Sequence, residues 1–341
     1  GSTTGGLLTT PDPLDLAATF TELVDEGVRI VAMEVSSHAL DQHRVDAIPF
    51  SLAVFTNLTR DHLDYHPGMD SYRSAKLRLA ELLRTDGVCV VNADEPEWDE
   101  ADFGGARLIR FGTRRDAEVR AEDLSVGVGG SEWTLVTPDG RARVRLPLLG
   151  EFNVANALAA AAAAWVTGID AESIAAGLIS APQVPGRMEA LASQPALVVR
   201  DYAHTPDALE RALNALRPSV PGRLIVVFGC GGDRDPGKRT MMGRIGVSGS
   251  DIAVITSDNP RTENPDSIVR DTISGLQPGS WEAIVDRRLA IERALSIATE
   301  GDGILLAGKG HETYQEIDGE RRPFDESEIV RSLLEANGAA R

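Results

Sequence analysis

The chain has 341 residues and 42% hydrophobic content, enough for two domains with real cores and too long for a comfortable single one. A formal charge of −18 and a pI near 4.8 repel nucleic acid and anionic membranes, so any anionic ligand must be held by local Arg and Lys. No apolar run approaches the roughly 20 residues of a bilayer span, no signal peptide is recognisable, and the two distant cysteines, Cys89 and Cys230, give no disulfide framework, which suits a reducing cytoplasm.

Residues 1–13, GSTTGGLLTTPDP, read as a loop before the helix LDLAATFTELVDEG, with Thr10 placed to cap it. The stretch from Arg29 to Lys76 then organises the first half of the chain. Its runs VRIVAMEV and SLAVFTNL are Val- and Ile-rich and of strand length, which suits buried strands of a parallel sheet. Polar clusters follow both runs: Glu34, Ser36, Ser37 and His38 after the first, and Asn57, Arg60, Asp61, His62 and Asp64 after the second. Ligands of open α/β sheets bind beyond the carboxyl ends of the strands. A carboxylate and an imidazole there can share a hard divalent cation, and arginines can hold phosphate.

Further along, MDSYRSAKLRLAELLRTDG has helical spacing with Gly87 as its stop, and GVCVVNADEPE reads as another strand with a polar end. Residues 104–148 alternate in short β-like pieces separated by GG and PDG turns. GEFNVANALAAAAAAWVTG is a helix with Asn153 as N-cap and an alanine face for close packing.

Two prolines and a glycine within Ala181–Arg187 mark a linker, after which the pattern restarts. Four strands end in DYAH, GGDRD, DNPR and GKGHE, and helical segments such as PDALERALNAL and DRRLAIERALSIA alternate with them. That alternation gives a doubly wound second domain whose polar strand ends meet at one edge, offering cations and a carboxylate. Residues 232–239, GDRDPGKR, have the spacing of a phosphate-binding loop but place Arg239 where Ser or Thr should hold Mg²⁺, and Pro236 removes a backbone donor. The expected fold is α/β: residues 1–182 form a mostly parallel sheet with a small β region, and residues 183–341 a Rossmann-like domain.

EVSSH, TNLTRDHLDYH, DNPR and GKGHE resemble the Mur ligases, and within them those that add meso-diaminopimelate to UDP-N-acetylmuramoyl-L-alanyl-D-glutamate. The resemblance implies an ATP-dependent amide ligase using Mg²⁺, with Glu34, His62 and a carbamoylated Lys76 as catalytic metal ligands. It assigns ATP to Asn153, Asn156, Arg187 and Asp201, and the muramoyl dipeptide to Thr9, Thr10, Ser36, Gln42 and Arg44. Diaminopimelate falls to Arg234, to Asp258, Asn259, Pro260 and Arg261 of DNPR, and to Gly308 and Glu312. An arginine at 261 suits the distal carboxylate and Glu312 the distal ammonium. The family's UDP-binding domain and GxxGKT loop have no counterpart in these residues, so the first sheet is expected to be incomplete, with an exposed edge, and the chain to act as an impaired fragment. A cytoplasmic monomer without nucleic-acid or membrane partners is expected. A folylpolyglutamate synthase-like ligase and a non-catalytic ligand-binding remnant are the alternatives.

Overall fold

A computed structural model describes residues 8–59, 62–63, 65–114, 116–127 and 129–339. The chain divides into two compact units, one of residues 1–122, 134–142 and 155–174, the other of residues 123–133, 143–154 and 175–341. Arg60, Asp61 and Asp64, noted above as polar residues beyond a strand, lie outside the described residues.

The first part of the chain runs α1 (Pro13–Asp25), α2 (Ser37–Asp41), β1 (Phe50–Phe55), α3 (Met69–Glu81), β2 (Leu83–Asn92), β3 (Arg107–Gly112), β4 (Val119–Gly127), β5 (Gly130–Thr137), β6 (Gly140–Leu146), α4 (Glu151–Val166) and α5 (Ala171–Ile179). Strands β1 to β6 lie side by side in sequence order, and the first four are parallel. The Val88–Val91 stretch of β2 is buried because strands flank it on both sides, with Ala53 opposite Cys89 and Ile109 opposite Val90. Phe55, Trp98 and Phe103 seal one face; Phe55 meets the other two rings edge to face at 5.5 and 5.0 Å.

Three expectations change here. VRIVAMEV is not a strand: among the described residues nothing pairs with it, and Ile30 is 73% exposed. The edge position of β1 explains this, since strand status requires a hydrogen-bonded neighbour and the only one β1 has is β2. The helix through Lys76 ends at Glu81 rather than at Gly87, which lies inside β2, where a Cβ would come within 2.8 Å of Leu83 Cβ. Asn153 is no N-cap, because α4 begins at Glu151, and its Nδ2 donates back to the Leu149 carbonyl at 2.8 Å.

The second part contains β7 (Glu189–Ala192), β8 (Leu197–Asp201), α6 (Pro206–Leu216), β9 (Leu224–Cys230), α7 (Lys238–Ser248), β10 (Ile252–Ser257), α8 (Pro265–Ile273), β11 (Trp281–Ala283), α9 (Arg287–Ile297), β12 (Gly303–Ala307), the hairpin of β13 (Tyr314–Ile317) and β14 (Glu320–Pro323), and α10 (Glu326–Ala339). Its main sheet has the order β11-β10-β9-β12-β8-β7, parallel except for β7. Side chains alternate across it, as strand geometry demands. Val199, Val226, Phe228, Ile255 and Leu305 pack with α6, α7 and α8, while Val198, Ile225, Val227, Val254 and Ile304 pack with α9 and α10. Both faces are covered, so the apolar strand runs and the helices PDALERALNAL and DRRLAIERALSIA fall where the sequence puts them. Among the described residues no helix is long and apolar enough to cross a membrane.

Two polar ties lie at opposite ends of this sheet. Arg287 and Glu326, both fully buried, pair at 2.8 Å while Arg287 Nη2 also donates to the Ala307 carbonyl at 2.9 Å, fixing the starts of α9 and α10 at the carboxyl end of β12. Asp302, at the amino end, accepts from the Arg223 backbone at 2.7 Å and side chain at 2.7 Å, and from the Thr299 N–H at 2.9 Å. Burial alone would raise the Asp302 carboxyl, but hydrogen bonds from Arg223 and Thr299 hold it well below the usual carboxylate range. The unfolded chain takes up this proton near pH ~4. The stabilisation from Asp302 is therefore present above that pH and lost as the pH falls below it. Asp302→Asn should lower stability at neutral pH and flatten the acid limb of stability against pH in denaturant titrations; an acid limb as steep as that of the parent would rule Asp302 out as its source.

Candidate functional site

In the first unit, the segment after Met33 is tied down by Thr10. Its buried hydroxyl donates to the Glu34 carbonyl and accepts from the Ser36 N–H, both at 3.0 Å. Asp12, not Thr10, occupies the N-cap of α1. Ser36 in turn caps α2 by accepting from the Ala39 N–H at 3.2 Å, and Arg44 reaches the Thr10 carbonyl at 3.1 Å and the Gln42 side chain at 3.0 Å. Thr10, Ser36, Gln42 and Arg44 thus form one connected group, and Thr9 beside it is exposed.

Beyond α2 and β1, His38 and His62, named from the sequence, collect with three rings that were not, Tyr65, His66 and Tyr72. His38 meets His62 at 4.9 Å, Tyr65 at 4.1 Å and His66 at 5.7 Å between ring centroids, and Tyr72 lies 5.3 Å from His66 and 5.9 Å from His62. The Lys76 ammonium stands 5.0 Å over the Tyr72 ring. His66 is buried, with Nε2 3.0 Å from the Ser37 hydroxyl; burial first, then nearby His38, pushes its imidazole pKa down. His62 adopts φ 54°, a strained setting for a side chain of its size. The structure therefore brings His62 and Lys76 against the same tyrosine, while the Glu34 side chain is exposed.

Among the described residues no group of three or more His, Cys, Asp or Glu forms a metal cage. As an ammonium Lys76 would repel a cation; as a carbamate it would supply a hard oxygen at the tyrosine that His62 also meets, donor chemistry that suits a divalent cation such as Mg²⁺.

In the second unit, Gly186 to Asp201 build a separate corner. Gly186 has φ 70° and approaches the backbone of 310–311 so closely that a Cβ would lie 2.2 Å from the His311 nitrogen. Its N–H donates to Glu189 at 2.7 Å and its carbonyl accepts from the Tyr202 N–H at 2.9 Å. Arg187 stacks 5.4 Å over the Tyr202 ring. Asp201 accepts from the Met188 and Ala203 N–H groups at 2.8 and 2.9 Å, yet burial pushes its carboxyl pKa up. On α4, Asn153 and Asn156 are three residues apart and so share a helix face.

The four strand ends at the rim of the second sheet do converge. The parallel neighbours β10, β9, β12 and β8 deliver DNPR, GGDRD, GKGHE and DYAH to one edge. Lys309, wholly buried, lies beneath them: its Nζ donates to Asn259 Oδ1 at 3.1 Å and Glu312 Oε2 at 3.2 Å, and lies 3.7 Å from Asp258. Asn259 Nδ2 donates to the same Glu312 oxygen at 2.8 Å, and Gln315 donates to the Asp258 carbonyl at 2.6 Å. Gly308, at φ 117°, brings the chain past Asp258. Arg261, also left-handed at φ 52°, donates from Nη1 to the Gly232 carbonyl at 2.7 Å, with Nε 3.8 Å from Glu316. Left-handed backbone at a non-glycine residue costs about 1–3 kcal/mol, so these contacts must over-determine the turn. Arg234 extends, exposed, from the adjoining loop.

Three N–H groups of the near-miss phosphate loop are already used: Gly232 donates to the Asn259 carbonyl at 2.9 Å, Asp233 to Glu263 at 2.6 Å and Gly237 to Asp235 at 2.8 Å. Lys238 donates to the His204 carbonyl at 2.9 Å, and Arg239 is buried against Glu263 and Asp271. Lys309, Gln315 and Glu263 are rim residues the sequence reading did not assign, and Arg239 it read only as a departure from the phosphate-loop pattern; for Lys309 the one signal was its place between two glycines in GKGHE.

The geometry defines a two-unit α/β protein with polar chemistry gathered at the carboxyl ends of parallel strands. Residues 2–164 match the model of the Mur ligase middle domain and residues 186–310 that of the Mur ligase glutamate ligase domain. The chain belongs to the Mur ligase family. It is 46% identical over 340 residues to the UDP-N-acetylmuramoyl-L-alanyl-D-glutamate--2,6-diaminopimelate ligase of Geobacillus kaustophilus, covering 97% of this chain and 70% of that one. The Gloeobacter violaceus ligase of the same name is 47% identical over 329 residues, covering 96% and 67%. A solved structure of a ligase of that name superposes with TM-score 0.75 at 38% identity, over 97% of this chain and 69% of the other. Folylpolyglutamate synthase of Mycobacterium tuberculosis shares the fold alone, with TM-score 0.56 at 24% identity over 78% of this chain and 62% of the other.

Replacing Lys309 with Met would leave Asp258 and Glu312 without their buried cation. The expected cost is about 3–5 kcal/mol in denaturant unfolding, the scale of breaking a buried pair from one side. Stability within about 0.5 kcal/mol of the parent would mean that solvent already reaches these carboxylates.

Proposed function

We propose that this chain carries the amino-acid- and ATP-handling parts of an ATP-dependent ligase that joins meso-diaminopimelate to UDP-N-acetylmuramoyl-L-alanyl-D-glutamate in peptidoglycan precursor synthesis. The observation that carries the reading is the DNPR rim. Asn259 separates a cationic arm, Arg261, from an anionic one, Glu312, and the protein's own contacts fix both. A donor whose far end bears both a carboxylate and an ammonium matches that pair, whereas lysine presents the ammonium alone. The relatives at 46% and 47% identity bear the diaminopimelate ligase name, which supports the same choice.

In this reading the γ-phosphoryl group of ATP passes to the glutamate carboxylate, giving an acyl phosphate and ADP. The neutral amine of diaminopimelate attacks the acyl carbon, the C–N bond forms as the C–O bond to phosphate breaks, and the ammonium proton is lost to solvent. Asn153, Asn156, Arg187 and Asp201 hold ATP, the flat guanidinium–Tyr202 stack offering a platform and Asp201 an acceptor. Thr9, Thr10, Ser36, Gln42 and Arg44 hold the muramoyl dipeptide; Thr10 acts chiefly by bracing Ser36, since its hydroxyl is already engaged. Glu34, His62 and Lys76 as a carbamate would hold Mg²⁺, which when bound screens the negative charge of the transferring phosphoryl group. Arg234, Asp258, Asn259, Pro260, Arg261, Gly308 and Glu312 place the amine donor, the gain being orientation. The domain boundary is placed at 182/183. The chain is placed in the cytoplasm, where ATP and nucleotide-linked precursors are found, as a monomer.

Calorimetry with the purified chain tests the rim. It should bind meso-diaminopimelate in preference to lysine, and Arg261→Ala should cut that preference by about 2 kcal/mol, roughly thirtyfold, the scale of one hydrogen-bonded charge contact. A preference for diaminopimelate that survives the substitution intact would remove Arg261 from the reading, and equal affinity for the two amino acids in the parent would remove the reading itself.

A further inference from the structure

We propose that the ion pair between buried Arg239 and half-buried Glu263 is a positioning device for amino-acid selection, locking the loop that carries Arg234 to the loop that carries Arg261. The inference rests on the reading of this rim as the diaminopimelate site. Arg239 is 3% exposed; its Nη2 donates to both Glu263 oxygens at 2.7 and 2.9 Å, and its Nη1 to Asp271 at 2.9 Å. The arm to Asp271 joins α7 to α8 and needs nothing from the rim. The arm to Glu263 does something else, because Glu263 lies in the loop after DNPR and its Oε1 also accepts the Asp233 N–H at 2.6 Å. One carboxylate thus bridges a helix-borne guanidinium and the backbone of the GGDRD loop.

The contacts around it run in both directions. Asp233 accepts from the Thr262 N–H at 3.0 Å and hydroxyl at 2.8 Å, Gly232 donates to the Asn259 carbonyl at 2.9 Å, and Arg261 returns a bond to the Gly232 carbonyl at 2.7 Å. The two loops are packed so closely that a Cβ on Gly232 would fall 1.9 Å from the Pro260 carbonyl oxygen. Asp233 and Arg261 both sit at φ 52°, so the conformation that aims Arg261 is one the isolated loop would leave. Arg239 touches no position assigned to the ligand. Its influence passes through Glu263 and Asp233 to the guanidinium of Arg261, and a lysine at 239 would replace a planar fork, anchored to Asp271 through Nη1 and to Glu263 through Nη2, with one nitrogen on a flexible stem that could not serve both carboxylates and keep Glu263 fixed.

The experiment uses the 341-residue chain with Arg239→Lys, Glu263→Gln, Asp271→Asn and Arg261→Ala, read by calorimetry with meso-diaminopimelate and by amide hydrogen exchange. Arg239→Lys and Glu263→Gln should each weaken binding about tenfold and speed exchange at Asp233 and Thr262 together, while leaving ATP affinity unchanged. Asp271→Asn, which removes only the helix-to-helix arm, should do neither. In an Arg261→Ala background, adding Arg239→Lys should change binding less than twofold, because the residue it positions is gone. Unchanged exchange in both loops, or a tenfold loss that persists undiminished without Arg261, would overturn the positioning role. A parent chain that ignores meso-diaminopimelate would instead overturn the substrate reading, and the exchange rates would still decide whether the pair couples the loops.

Discussion

Parallel register is the constraint on which the rest of the second unit depends. Strands β10, β9, β12 and β8 all run the same way, so every connection that follows them is forced to the same edge, and four polar loops distant in sequence become neighbours. That crowding creates an electrostatic problem as well as a site. Asp258, Glu312, Glu316 and Glu263 all approach one rim, and Lys309, Arg261 and Arg239 are the cations that answer them. Two of these cations, Lys309 and Arg239, are buried and spent on the protein itself, and the guanidinium of Arg261 is the least enclosed of the three.

The doubly wound domain was legible because its evidence is redundant. Fully buried strands read as unbroken apolar runs, helices carry their own periodicity, and each strand closes on a conspicuous polar motif of four or five residues, so an error in one element is outvoted by the others. The first unit was less legible for a physical reason. VRIVAMEV has the composition of a strand, but composition reports only the tendency to be extended and buried, and the ladder depends on whether a neighbour lies alongside. Val28, Ile30 and Val31 of this segment are exposed, while Met33 and Val35 pack against Leu16, Leu40 and Val45. Gly87 misled in a similar way: a glycine after a helical pattern usually ends it, and here α3 stops six residues earlier and the glycine relieves a tight approach within β2.

At the level of single side chains, motif matching found the residues that present themselves and missed those that hold them. Arg261 and Glu312 stand in recognisable short motifs, DNPR and GKGHE. Arg239 and Glu263 are connected across 24 residues by a bond that only the packing of α7 against the DNPR loop reveals. The spacing of GDRDPGKR suggested a phosphate cradle, and the structure shows three of its N–H groups committed to Asn259, Glu263 and Asp235. Spacing cannot report whether donors are free. The ring cluster of His38, His62, Tyr65, His66 and Tyr72 was hidden for the opposite reason, since its members are drawn from loop, short helix and long helix with no shared period.

The left-handed backbone at Arg261 sets a conflict between durability and discrimination. Glycine or asparagine would relax the turn and is what a search for thermal robustness would favour at that position, yet either one discards the guanidinium. With Arg261 in its proposed role, laboratory selection for heat tolerance alone would tend to erase the choice between amine donors, and a hardened variant of this chain would need its selectivity measured afresh.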